Sequence, residues 1–251
     1  MAITLIKNKE IKLNIPSFTC DDNPIGEHLN SHPLSKLLNV YGFLSVIGRP
    51  GSGKTSFSIS LITQSKPKIY KKCFHHNIIV MPAQSIASLQ KNPFKDLDNV
   101  FNECNDETIG QIYEKITTYS GKDEKTLLFI DDMTADLKKT KFIIDTLKRL
   151  IYNRRHLKLN IIITAQSFSN IPLDLRKNIQ NMVMFRPSKK ELQLVFEELV
   201  ESKRDMFERV MRYTYDNPHN FLFINVPSQR LFKNFDELIL NDSDAAELIV
   251  E

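Results

Sequence analysis

Short apolar runs alternate along the chain with longer stretches in which apolar residues return every three or four positions. The short runs are 42–48 (GFLSVIG), 77–81 (NIIVM), 126–131 (TLLFID), 160–166 (NIIITAQ) and 181–186 (NMVMFR). Each is too short for a typical helix, and most are rich in β-branched side chains, so each predicts a strand. The longer stretches predict helices over 54–64, 106–120, 136–156, 188–201 and 203–216. Ile109, Ile112, Tyr113 and Ile116 mark the apolar stripe of one; Phe142, Ile143, Leu147, Leu150 and Ile151 mark another. Ser188, three residues before Glu191, has the capping-box spacing. Residues 221–226 and 230–235 predict a terminal hairpin.

Strands that are apolar on both faces and alternate with helices predict a mostly parallel sheet covered on both sides, the three-layer α/β arrangement. The stretch 21–33 (DDNPIGEHLNSHP) is turn-rich. The expected division is a lead-in of strand and turns over 1–41, a main domain over 42–235 and an acidic tail over 236–251.

Composition narrows the class. The 251 residues are 41% hydrophobic and 25% charged, enough to bury a core. No apolar run approaches the ~18–20 residues a membrane span needs, so no membrane is expected. The lysine-punctuated start predicts no secretory leader. Cys20, Cys73 and Cys104 form no close pair and read as free thiols in a reducing compartment. The six histidines show no ligand spacing. The net charge of +4 is unevenly spread: 138–158 holds eight cations against Asp145 alone, whereas 236–251 holds six acids and no base. Such a basic segment is the footprint expected of a polyanion partner.

Three of only seven glycines fall within Gly48-Arg49-Pro50-Gly51-Ser52-Gly53-Lys54-Thr55. This run has the form G-x-x-x-x-G-K-[ST], with an apolar strand before it and a helix after it. Glycines let the backbone fold so that successive N–H groups point at phosphate oxygens, and the helix adds its positive end. Lys54 is then expected to bridge the β- and γ-phosphates, and Thr55 to ligate Mg²⁺. The eight residues together predict a nucleotide phosphate site.

Residues 127–132 (LLFIDD) have the form of a Walker B strand, with acid at the carboxyl edge of the sheet, where ligands bind in open α/β folds. Asp131 is expected to hold Mg²⁺ and Asp132 to orient or deprotonate the attacking water. The strand at 77–81 separates loop and acids in the sequence, which predicts that their strands are not neighbours in the sheet. Gln166, ending the next apolar strand, is the candidate sensor between acid and γ-phosphate. Arg155 is the candidate arginine finger toward a neighbouring subunit's nucleotide, with Arg154, Arg176 and Arg186 as rivals.

The loop at 48–55, the run Ile130-Asp131-Asp132-Met133, and Asn153-Arg154-Arg155-His156 followed by 161–167 (IIITAQS) together resemble the genome-packaging ATPases of the FtsK–HerA superfamily. Residues 171–178 (IPLDLRKN) and Phe185-Arg186 extend the likeness, which lies nearest to the vaccinia-type enzymes of large DNA viruses and virophages. It spans about 43–201. The resemblance implies an additional-strand P-loop fold and ATP with Mg²⁺ as cofactors. It also implies a homo-oligomeric ring of about five or six subunits, double-stranded DNA as partner, and capsid or portal proteins beyond it. The implied location is the host cytoplasm in virus factories, with the virion second. Cellular relatives usually carry Glu where this chain has Asp132; two acids in tandem favour the viral branch. The alternatives are a small-molecule P-loop kinase, a cellular-type FtsK/HerA translocase and a non-catalytic nucleotide-binding scaffold.

Overall fold

The apolar runs become strands buried on both sides, and that two-sided burial dictates where the helices pack. The computed structural model describes residues 37–38, 41–66, 68–200 and 206–239. In the described residues the strands are β1 (Phe43–Ile47), β2 (His76–Val80), β3 (Val100–Phe101), β4 (Thr126–Ile130), β5 (Leu159–Ala165), β6 (Asn181–Phe185), β7 (Phe221–Asn225), β8 (Arg230–Lys233) and β9 (Asp236–Leu238). They form one sheet in the order β3-β2-β4-β5-β1-β6-β7-β8-β9. Pairings are parallel from β3 through β6 and antiparallel from β6 through β9.

The helices are α1 (Lys54–Thr63), α2 (Ala83–Ala87), α3 (Asp106–Gly121), α4 (Lys141–Tyr152), α5 (Leu173–Arg176), α6 (Lys189–Leu199) and α7 (Met206–Thr214). Alternate residues of each strand serve opposite faces. Leu44, Val46, Phe129, Ile162 and Val183 pack under Leu61 and Ile62 of α1 together with Ile69, Tyr70 and Phe74. Phe43, Ile47, Leu128, Ile163 and Met182 pack under Ile112 of α3, Leu147 of α4, Val195 of α6 and Val210 of α7. The fold is therefore the expected three-layer α/β domain with a mostly parallel sheet.

Four differences from the sequence reading have local causes. First, β1 and β4 are not neighbours, as expected, but the strand between them is β5, pairing with both, whereas β2 lies outside β4. Second, the helix expected over 136–156 is broken. A 3-10 turn covers Asp136–Lys138, then Thr140, in extended conformation, caps α4 by accepting the Ile143 N–H at 3.2 Å. At the far end α4 stops at Tyr152, so Arg154, Arg155 and His156 lie in the turn leading to β5.

Third, the sheet does not stop at 235. β9 pairs with β8, and Glu237 forms an ion pair with Arg230, so the first acids of the expected tail are sheet residues. Fourth, the short β3 and α2 carry too few residues for a periodic signal and escape the sequence reading. The lead-in over 1–36, Cys20, His28, His32 and the tail beyond 239 lie outside the described residues, as does the start of the helix expected at 203.

The basic segment also changes meaning. Lys139 pairs with Asp136, Lys148 with Asp174 and Lys158 with Asp123, while Lys138 donates to the Ser169 carbonyl. Arg154 is half-buried, donating to the Gln180 side chain and the Ile151 carbonyl. Among the described residues, only the side chains of Lys141, Arg149 and Arg155 of the eight cations have neither an ion pair nor a hydrogen bond. Three of the eight cations are thus neutralised by carboxylates outside the segment, and among the described residues the other five have no ion pair.

Candidate active site

Strand β1 is fully buried and feeds straight into the glycine-rich loop, whose shape follows from its residues. Gly51 (φ 75°) and Gly53 (φ 103°) hold left-handed backbone that other residues reach only at a cost of about 1–2 kcal/mol. A Cβ on Gly48 would lie 2.5 Å from the Ser52 hydroxyl and 2.8 Å from the Phe185 Cβ, so the loop's close approach to β6 excludes any larger residue.

Helix α1 begins without a cap. Gly53 offers no side-chain acceptor, and the first turn carries no acid. The other long helices are closed differently: Asn105 caps α3, Thr140 caps α4 and Ser188 caps α6. Among the described residues the N–H groups of Gly51, Gly53, Lys54 and Thr55 have no acceptor. Unpaired amides at a positive helix end, lined by a lysine, form an anion site. Lys54 is 7% exposed, with Nζ donating to the Arg49 carbonyl at 3.2 Å. Burial pulls its pKa below the usual lysine range, against the opposing pull of Asp132 and Asp131.

Strand β4 delivers Asp131 to the same edge. The Thr55 hydroxyl donates to its carboxylate oxygens at 3.0 and 3.1 Å, joining residues that stand 76 positions apart. Thr164, at the end of β5, donates to Asp131 Oδ1 at 2.7 Å and accepts the Asp132 N–H at 2.9 Å. Asp132 holds left-handed backbone (φ 53°), a conformation Asp tolerates better than most residues. Its exposed carboxylate accepts Gln166 Nε2 at 3.1 and 3.2 Å. Loop, acid pair and glutamine thus share one edge of the sheet.

Thr164 is the participant that the sequence reading passed over. It is fully buried, and it is the hydroxyl residue inside an otherwise apolar run (IIITA), which is the signal that could have found it. The Ser188–Glu191 box closes only halfway. Ser188 caps the Glu191 N–H, but the Glu191 carboxylate turns to the Phe168 N–H at 2.6 Å, pinning the segment that follows Gln166.

The arginines fall differently from expectation. Arg154 and Arg155 precede β5, at the amino edge of the sheet, whereas Gln166 follows its carboxyl end. The seven-residue strand between them spans roughly 20 Å, so Arg155 does not reach this chain's own phosphate loop. Arg176 is paired with Glu198 at 3.2 Å and lies over the Phe168 ring. Arg186, one residue past β6, and Arg49 are the exposed arginines on the nucleotide edge.

Asp131 is 1% exposed, and burial raises its carboxyl pKa against the lowering effect of the Thr164 and Thr55 hydroxyls. A raised carboxyl pKa means that stability from this group is full below the unfolded value of ~3.9 and is lost as pH rises through the folded value. Asp131→Asn should therefore melt a few degrees higher than wild type without ligand at pH 7–8. The gain should shrink to nothing as pH falls below the ordinary Asp range. Equal melting temperatures at every pH would contradict the strained carboxylate.

The chain matches the model of the poxvirus A32 protein family over residues 31–245. The chain belongs to that family. No curated protein matches it. Among solved structures, the A32-family chain is similar to B204, the DNA-packaging ATPase of Sulfolobus Turreted Icosahedral Virus. The TM-score is 0.60 at 17% identity, over 78% of this chain and 97% of that one. B204 of Sulfolobus turreted icosahedral virus 2, in complex with ATP-gammaS, matches with TM-score 0.58 at 18% identity, over 78% and 97%. EssC (ATPases 2 and 3) of Geobacillus thermodenitrificans matches at 0.50 and 16%, over 81% of this chain and 41% of that one. At these identities the likenesses establish the fold, which is that of P-loop ATPases. No helix among the described residues of the A32-family chain is long and apolar enough to cross a membrane.

Proposed function

We propose that the protein is a viral genome-packaging ATPase: a motor that hydrolyses ATP to ADP and phosphate and moves double-stranded DNA into a capsid. The observation carrying this reading is the contact between Thr55 and Asp131 at 3.0 Å, which joins phosphate loop and acid pair into one site. Membership of the A32 family and the B204-like fold supply the context, since both B204 proteins are named as packaging enzymes.

In this reading the open amides of 48–55 and Lys54 bind the β- and γ-phosphates. Thr55 and Asp131 present a hydroxyl and a carboxylate side by side, hard oxygen donors that suit Mg²⁺ shared with a substrate phosphate. Magnesium would neutralise charge on the transferring phosphoryl group. Thr164 fixes the Asp131 carboxylate, while Asp132 orients the water and accepts its proton. Gln166 holds Asp132 and can exchange that contact for a γ-phosphate oxygen, which makes it the sensor. Phosphoryl transfer asks for positioning and charge rather than covalent chemistry, and these residues supply both.

A ring of identical subunits would place a cation of one chain at the nucleotide of the next. Arg155, exposed at the opposite edge and without an ion pair among the described residues, remains the assigned finger, and a purified ring tests it against Arg49 and Arg186. DNA and capsid or portal proteins are the proposed partners. ATP turnover with and without duplex DNA, alongside native mass, tests the whole. Turnover should rise with duplex, the rise should fade as salt increases, and the mass should be a multiple of 29.1 kDa. Hydrolysis indifferent to DNA at every salt concentration would remove the motor and leave a plain ATPase.

A further inference from the structure

A triphosphate seated on the loop leaves its nucleoside end to be placed, and the edge chemistry gives its direction. Asp131, Asp132 and Gln166 end β4 and β5, on one side of β1, so the γ-phosphate end faces that side. The nucleoside then leaves toward β6, β7 and β8, where the structure builds a wall of phenylalanines. The Phe185 ring lies 3.8 Å from where a Cβ on Gly53 would stand. Phe57, one turn into α1, meets Phe185 at 6.3 Å and Phe221 at 5.2 Å between ring centroids. Phe235 closes the row, stacked on Phe57 at 6.4 Å and edge-on to Phe221 at 5.3 Å.

Phe235 has the features of a platform rather than of core. It keeps 38% of its surface exposed although three rings back it. Its turn is locked by the preceding residue: Asn234 (φ 56°) donates its N–H to the Phe221 carbonyl at 2.8 Å, and its side chain accepts the Phe221 N–H at 3.1 Å. The Asn234 amide also donates to Asn220 at 3.2 Å. β8 stands two strands beyond β6, about 10 Å away at the usual ~4.8 Å spacing, on the scale of a nucleoside.

We propose that Phe235, backed by Phe57 and Phe221, is the stacking platform for the base of the bound nucleoside triphosphate, an inference that rests on the phosphate site proposed above. An exposed aromatic face held rigid loses little freedom when a base settles on it. The amides around the turn are engaged with one another, so recognition comes from ring stacking rather than from hydrogen bonds to the base edge.

The test separates base from phosphate by using ATP, ADP and inorganic tripolyphosphate as probes. Phe235→Ala should weaken ATP and ADP binding roughly tenfold and leave tripolyphosphate within about twofold of wild type. Phe235→Tyr should restore nucleotide affinity, which separates stacking from misfolding. The chain has no tryptophan, so Phe235→Trp adds a unique fluorophore. Its emission should be quenched by ATP and ADP and not by tripolyphosphate. Unchanged ATP affinity in Phe235→Ala, or equal quenching by tripolyphosphate, overturns the platform while leaving the phosphate site standing. If neither ATP nor tripolyphosphate binds the wild-type protein, the phosphate site falls first and the platform with it.

Discussion

Lys54→Ala should bind ATP at least about a hundredfold more weakly than wild type and show no hydrolysis, while the ligand-free protein melts no lower than before. Both halves follow from one feature. Lys54 is a nearly buried cation whose described hydrogen bond is to a backbone carbonyl, and its ammonium is destabilised by burial. Without phosphate it is an expense to the fold, since a buried charge without a full partner is unfavourable. With phosphate it supplies charge-assisted hydrogen bonds worth about 1.5–3 kcal/mol each. The measurement is a pair of melting curves with and without ATP and Mg²⁺. Wild type should shift upward as ligand is added, by mass action, and the variant should not. A variant that unfolds below wild type, or one that shifts as far with ATP, contradicts the site.

The same trade recurs across the edge. The amides left open at the start of α1, the neutral-leaning carboxyl of Asp131 and the left-handed backbone at Asp132 each forgo a local gain. Three features of this kind converge where β1, β4 and β5 end, and a triphosphate with its metal would relieve the first two. Elsewhere the helix starts at α3, α4 and α6 are capped by side chains. Among α1, α3, α4 and α6, the start that lacks a side-chain cap is the one where a ligand is expected.

That contrast also explains what the sequence displays and what it hides. The phosphate loop is legible because its chemistry is contiguous: eight residues, a strand before and a helix after. The buried strands are legible because each is apolar throughout. Features that depend on partners distant in the chain are not. Thr164 matters only because β5 lies between β4 and β1, a consequence of sheet order. Arg155 looks close to Gln166 in sequence, yet a full strand separates them. The basic stretch looks unopposed because Asp174 and Asp123, which neutralise Lys148 and Lys158, lie 26 and 35 positions away. The acids of β9 read as tail for another reason: the strand has three residues, too few for a periodic signal, and only its pairing with β8 marks it.

Asp132→Asn should bind ATP about as tightly as wild type but turn it over about 10²–10⁴ times more slowly, the usual weight of a general base. The geometry favours a clean result. The Asp132 backbone N–H, not its carboxylate, is tied to Thr164, so the Asp131–Thr164–Thr55 cluster that would hold the metal survives the change. The carboxylate is exposed and its described hydrogen bonds come from Gln166, so an amide fits without burying a new polar group. Gln166→Ala distinguishes base from sensor. It frees the Asp132 carboxylate without removing it, so hydrolysis should persist at a lower rate while stimulation by duplex DNA is lost. Single-turnover measurements on the two variants, with and without duplex, read these outcomes separately. A fast chemical step in Asp132→Asn would move the base elsewhere. DNA stimulation that survives intact in Gln166→Ala would take the sensor role from the glutamine.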